Sequence, residues 1–210
     1  MKEFIELAQK IKDKELREKT LAYIKNPQPT HKDFKKYPKE KYETAGAPFS
    51  AGGPSVERDV IKHTVSLTEL CFETAKSLEK NFGLKINSDY IVAAALLHDI
   101  MKIYEWKKTK SGFEHTGVML DHSFLGVAEL YQRGFPEEII HIVASHFGEN
   151  GPTPPRSYEA LILHYLDTML SLVEYHYLGT KRMQDQSKIM LFDEDMIKKL
   201  IGEKTEKESE

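Results

Sequence analysis

Apolar residues recur every three to four positions over most of the chain, which predicts helices rather than strands. Residues 2–24 carry Phe4, Ile5, Leu7, Ala8, Ile11, Leu16, Leu21 and Ile24 at that spacing, a first amphipathic helix stopped by Pro27 and Pro29. A connection rich in proline and glycine follows over 25–55. Residues 56–81 predict a second helix, with Val56, Val60, Leu67, Leu70, Cys71 and Leu78 on one stripe and Gly83 just past its end. Asn87 or Ser88 caps a third, about 88–104, which is apolar almost all round from Ile91 to Met101 and should therefore be central. Residues 105–119 predict a loop or short hairpin with lysines at its tip. Further helices are predicted over 122–133 behind Asp121, 136–147 before Gly148, 157–178 before Gly179, and 194–201 ahead of a charged tail. No series of strands emerges, so the predicted class is all-α: a helical bundle with a small loop or hairpin insertion.

Composition narrows the picture. At 210 residues, 40% hydrophobic and 30% charged, the chain suits one globular domain. The longest apolar run, Tyr90 to Leu97, falls well short of the ~20 residues a bilayer helix needs, so no membrane partner is expected. Met1-Lys2-Glu3 leads into a charged amphipathic stretch, which predicts no secretory leader. Cys71 is the single cysteine, which excludes an internal disulfide and points to a reducing cytoplasm. A net charge of −3 gives no global positive field for long nucleic acid.

Candidate chemistry lies in polar residues on apolar helical faces. His63 points along the stripe of Val56, Val60, Leu67 and Leu70. His98-Asp99 falls inside the helix expected to be most buried, and Asp167 sits among Leu163 and Leu170 on another apolar helix. Packing alone gives no reason to bury two imidazoles and two carboxylates, since each buried charge must be paired or bind a metal. Together they form a mixed nitrogen and oxygen set suited to divalent Mn, Fe, Ni, Co, Zn or Mg, and they exclude a thiolate zinc site.

The order of His63, then Leu97-His98-Asp99-Ile100-Met101-Lys102, then Asp167, resembles the H…HD…D pattern of the HD superfamily of metal-dependent phosphohydrolases. Met101 stands where that motif often has glycine. The resemblance covers roughly residues 50–178. Within the superfamily it is similar to the HD domain of the YhaM-type exoribonucleases, through Gly52-Gly53, Asp121-His122, Ser145-His146, Pro154-Pro155 and His164-x-x-Asp167. Ala47-Pro48-Phe49-Ser50 departs from the His-rich segment expected before the glycine pair.

The resemblance implies an HD-domain helical bundle as a single domain over 1–210. Its core would span about 50–178, with an N-terminal helix and linker over 1–54 and a C-terminal helix and tail over 180–210. It implies His63, His98, Asp99 and Asp167 as metal ligands, and His122 and His146 as ligands of a second ion. One or two divalent ions would then activate water for phosphoester hydrolysis, with Asp99 bridging. Lys102 would bind a substrate phosphate or pair with Asp99, and Arg156 is a second candidate for the phosphate. His164 shares a face with Asp167 and would orient a ligand or pack in the core.

The expected activity is hydrolysis of a nucleotide, cyclic nucleotide or short oligonucleotide. Two alternatives stay open: a di-iron HD-fold oxygenase, and a non-catalytic nucleotide-binding sensor. The segment His31 to Tyr42 interleaves bases with aromatics, as a short single-stranded nucleic acid contact would, or as an arm whose rings pack on the body.

Overall fold

A computed structural model describes residues 2–191, so the helix expected at 194–201 and the tail lie outside the described residues. The order is α1 (Lys2–Ala8), α2 (Lys14–Lys25), two 3-10 turns, β1 (Gly46–Phe49), β2 (Val56–Asp59), α3 (Val60–Phe82), α4 (Ser88–Leu97), α5 (Lys102–Glu105), β3 (Trp106–Thr109), β4 (Gly112–His115), α6 (His122–Gln132), α7 (Glu137–Ala144) and α8 (Tyr158–Leu191). The described residues are all-α apart from two antiparallel hairpins, β1–β2 and β3–β4. No helix among the described residues is long and apolar enough to cross a membrane.

α4 is the hub. Every side chain from Ile91 to Leu97 is buried, and α2, α3, α7 and α8 pack around it. Asn87 caps it, accepting from the Asp89 and Tyr90 amides. α3 turns Val60, Leu67, Cys71 and Ala75 inward and ends at Gly83, in the left-handed conformation with φ 68°.

Several boundaries differ from the sequence reading. The first helix is two. Its periodicity runs unbroken through buried Ile11, but the Asp89 carboxylate takes the Lys12 and Asp13 amides, and Asp13 caps α2 through the Leu16 amide. Residues 56–59 are a strand, not a helical turn: Val56 and Arg58 point in, Glu57 and Asp59 point out, and Asp59 caps α3. The third helix stops at Leu97. Ile100 and Lys102 bond back three residues rather than four, so His98-Asp99 sits in a tight turn at the end of α4. α8 runs through Gly179 to Leu191, because that glycine keeps a negative φ and Tyr175 and Arg182 on either side tie the helix to the carbonyls of Pro54 and Ser55. The hairpin expected over 105–119 forms as β3–β4, with Trp106 opposite His115. The two hairpins meet at Gly46, where any side chain would collide with the Phe113 ring.

Candidate metal centre and its cavity

Four imidazoles from four places in the chain converge beside the C-terminal end of α4. His63 lies one turn into α3, His98 closes α4, His122 opens α6 behind its Asp121 cap, and His146 sits in the turn after α7. Their rings form a chain of neighbours, with centroids 5.6 Å apart for His63–His98, 5.5 Å for His98–His146 and 5.7 Å for His122–His146.

Each ring is held at Nδ1. Glu174 pairs with His63 Nδ1 at 3.1 Å and Glu105 with His122 Nδ1 at 2.6 Å. His98 and His146 donate from Nδ1 to the carbonyls of Ala95 and Val143, at 2.8 and 2.6 Å. This fixes the orientation of the rings and leaves Nε2 as the free ring nitrogen of each. Those four atoms are buried and lack a well-aligned hydrogen bond, and three of them face a carboxylate oxygen instead.

Carboxylates fill the space between them. Asp99 Oδ2 lies 3.4 Å from His98 Nε2, and Asp99 Oδ1 lies 3.3 Å from His122 Nε2. Asp167 Oδ1 is 3.0 Å from His63 Nε2. Ligand atoms of His63, His98 and Asp99 fall within 4.8 Å of one another, and so do those of Asp99, His122 and His146. Asp99 thus belongs to two adjoining clusters, one oxygen toward each.

Electrostatics suit a cation. Four carboxylates (Asp99, Glu105, Asp167 and Glu174) face two fixed cations, Arg58 and Lys102, which leaves an excess of two negative charges. Burial opposes ionisation of Asp99, but His98, Lys102 and His122 outweigh it and hold the carboxyl well below the usual range. Asp167 is held low against its burial by His63 and His98. Burial, reinforced by His98 and His122, pushes His146 down to about 4, which keeps its imidazole neutral near pH 7 with a free lone pair. The carboxylates in turn raise His63 and His122 against their burial, and imidazoles crowded against an excess of buried carboxylates are what a nitrogen- and oxygen-liganded divalent ion satisfies.

Beside the cluster opens a cavity of about 390 Å³, lined by Asp99, Lys102, His122, His146 and Asp167 among others. Lys102 Nζ pairs with Asp99 Oδ2 at 2.7 Å and borders the cavity. Arg156, the other phosphate candidate, is not brought there. It is exposed on the connector before α8, where its amide donates to His141, and the cation on the cavity wall is instead Arg58. Arg58 forms an ion pair with Glu174 through Nε at 2.9 Å, donates from Nη2 to the Ser171 hydroxyl at 2.7 Å, and stacks on Phe49 at 4.2 Å.

His164 is buried. It donates from Nδ1 to the His146 carbonyl at 2.8 Å and supports the turn that carries His146. Gly148 adopts φ +54° directly over that ring, which leaves no room for a side chain. The rings of the 31–42 segment pack on the body: Tyr42 is buried edge-on to Phe4, and Phe34 and Tyr37 lie against the core.

Sequence reasoning missed Arg58, Glu105 and Glu174. Reading 56–59 with a period of two puts Arg58 on the inward face with Val56. Ser171 and Glu174 follow Asp167 at four and seven residues, on its own helical face.

Comparison with known proteins agrees with this geometry. The HD domain family model matches residues 60–172. The chain is 45% identical over 170 residues to dihydroneopterin 2′,3′-cyclic phosphate phosphodiesterase of Methanocaldococcus jannaschii, covering 80% of this chain and 67% of that one. It is 30% identical over 183 residues to the 3′-5′ exoribonuclease YhaM of a Geobacillus species, covering 80% of this chain but 55% of the longer relative. No solved structure matches it significantly. With the pattern, the fold and the matched span in agreement, the chain belongs to the HD-domain family.

Proposed function

We propose that the protein is a divalent-metal-dependent phosphodiesterase that opens a small cyclic phosphate ester to a phosphomonoester. The observation that carries this is the convergence of four buried imidazoles on Asp99 and Asp167. His63, His98, Asp99 and Asp167 would hold one ion, and Asp99, His122 and His146 a second, with Asp99 shared. Such ions supply Lewis acidity, which activates water near neutral pH and neutralises charge on the phosphate.

The chain's own groups do the rest. Glu105 and Glu174 keep the His122 and His63 rings oriented, so that Nε2 presents its lone pair. Lys102 lies close enough to Asp99 to meet a phosphate oxygen placed there, and Arg58 brings a second positive charge to the same wall. Mn, Fe, Co, Ni and Zn all suit this donor set. A cavity of about 390 Å³ matches a small molecule. The 45% identical relative is named for a 2′,3′-cyclic phosphate, which supports the same reaction class here.

The test is metal analysis of the purified protein, followed by hydrolysis of nucleoside and pterin 2′,3′-cyclic phosphates with each ion in turn. The expected result is metal-dependent ring opening that a chelator abolishes and added metal restores. Absence of turnover with every ion would overturn the assignment.

A further inference from the structure

We propose that Trp106, Phe49 and Phe147 form an aromatic wall on the metal cavity that selects phosphate esters carrying a planar heterocycle. The inference rests on the reading above and adds which residues select the organic part of the substrate.

The three rings reach the cavity from separate elements. Trp106 opens β3, directly after Glu105, the residue that holds His122. Phe49 ends β1, and Phe147 follows His146 in the turn after α7. All three line the same cavity as Asp99, Lys102 and Asp167. None of them belongs to the core cluster or to the partly buried side chains packed against it. They are rings the fold does not use to fill its interior, left with open area on a polar site.

Each ring is nevertheless braced. His115 packs edge-on against Trp106, with centroids 5.2 Å apart and planes at 82°. The Arg58 guanidinium stacks on Phe49 at 4.2 Å, and Tyr175 meets that ring edge-on at 5.9 Å. Phe147 lies 4.2 Å from the His146 ring. Braced rings with exposed area present flat apolar surfaces at low entropic cost, which is how stacking platforms bind bases. Asn150 and Thr168 on the same cavity offer donors and acceptors for ring nitrogens and carbonyls. An alkyl chain would use neither the flat faces nor these polar edges. A heterocycle on the wall with its phosphate at Asp99 uses both.

Trp106 is the one tryptophan in the chain, so its emission reports on the wall directly. Guanosine 3′-monophosphate, added to the metal-loaded protein, should quench that emission, and glycerol 1-phosphate should not. Wild type should favour guanosine 2′,3′-cyclic phosphate over glycerol 1,2-cyclic phosphate. Trp106→Ala should lower that ratio of kcat/KM by about 10-fold or more, mainly through KM, with metal content unchanged. Trp106→Phe should restore most of it, and Phe49→Leu serves if the alanine variant does not fold. Equal losses on both substrates, or emission blind to guanosine 3′-monophosphate, would overturn the proposal and leave the metal reading standing. If neither ester is cleaved but the nucleotide still quenches, the phosphodiesterase reading falls and recognition of the heterocycle stands.

Discussion

The two halves of the candidate metal centre share Asp99 but are built differently. On one side His63 projects from the long helix α3 and His98 closes α4, both fully buried, while Asp167 comes from α8 at the edge of the cavity. On the other, His122 sits in the first turn of α6 and His146 in a turn supported by His164 and Gly148, both facing the cavity. The support is the same in kind: each half has one imidazole held by a carboxylate and one held by a backbone carbonyl. One half is thus part of the helical scaffold, and the other is attached to it by loops and helix ends. A core can place ligands as a by-product of its own packing, whereas loops must be braced for the purpose.

The change that should erase the comparison altogether is Asp99→Ala. It removes an oxygen from both clusters and frees Lys102 from its ion pair. Turnover of a cyclic phosphate is expected to fall at least about a thousandfold. Metal content measured alongside should drop on both sides, with the helical circular dichroism retained. Near-normal turnover would contradict a shared role for Asp99.

Alanine at one ligand should separate the halves. His63→Ala and His122→Ala are each expected to lower bound metal by about one ion per chain, and turnover by about a hundredfold or more. Stability should distinguish them. His63 is fully buried, and its loss opens a void in α3's packed face and takes one partner each from Glu174 and Asp167, at about 2–4 kcal/mol. His122 lies at a helix start bordering the cavity, where truncation should cost about 1–2 kcal/mol. Denaturant melts of the metal-free variants measure this directly, and equal losses would remove the distinction between scaffold and attachment.

This difference also explains what could be read from the chain alone. His63 and Asp167 stand out because a period of 3.6 places them on apolar stripes of long helices, and α4 because it is apolar on every face. His122 and His146 lie at a helix start and in a turn, where periodicity marks them only weakly, and the family pattern was needed to suggest a second ion there. The strands β1 and β2 were not legible because four residues carry too little pattern, and the run from Val56 merges with the helix behind it. Glu105, Glu174 and Arg58 look like ordinary surface residues, since what makes them functional is a partner distant in sequence: Glu174 meets His63 across 111 positions.

Removing the carboxylate brace should have a smaller effect and test whether both halves rely on it. Glu105→Gln and Glu174→Gln keep size and hydrogen bonding but remove the charge that stabilises an Nδ1–H. Metal affinity, read by Mn titration, should weaken about 10–100-fold in each. Glu105 also accepts the His122 backbone amide, so Glu105→Gln should loosen the attached half further, whereas Glu174→Gln leaves Arg58 bonded to Ser171. Unchanged affinity in both would show that the carbonyl-held rings alone fix the ions.

The smallest effect is expected at Arg156, and it bears on which cation serves the cavity. Arg156 lies exposed on the connector before α8, and its one hydrogen bond to His141 comes from the backbone amide, which any residue but proline supplies. Arg58 is buried on the cavity wall and engages both Glu174 and Ser171. Arg156→Ala should therefore change kcat/KM by less than about twofold and stability by less than about 0.5 kcal/mol. A loss of tenfold or more would bring the connector into the substrate site and mean that the cavity closes over its ligand further than its present walls indicate.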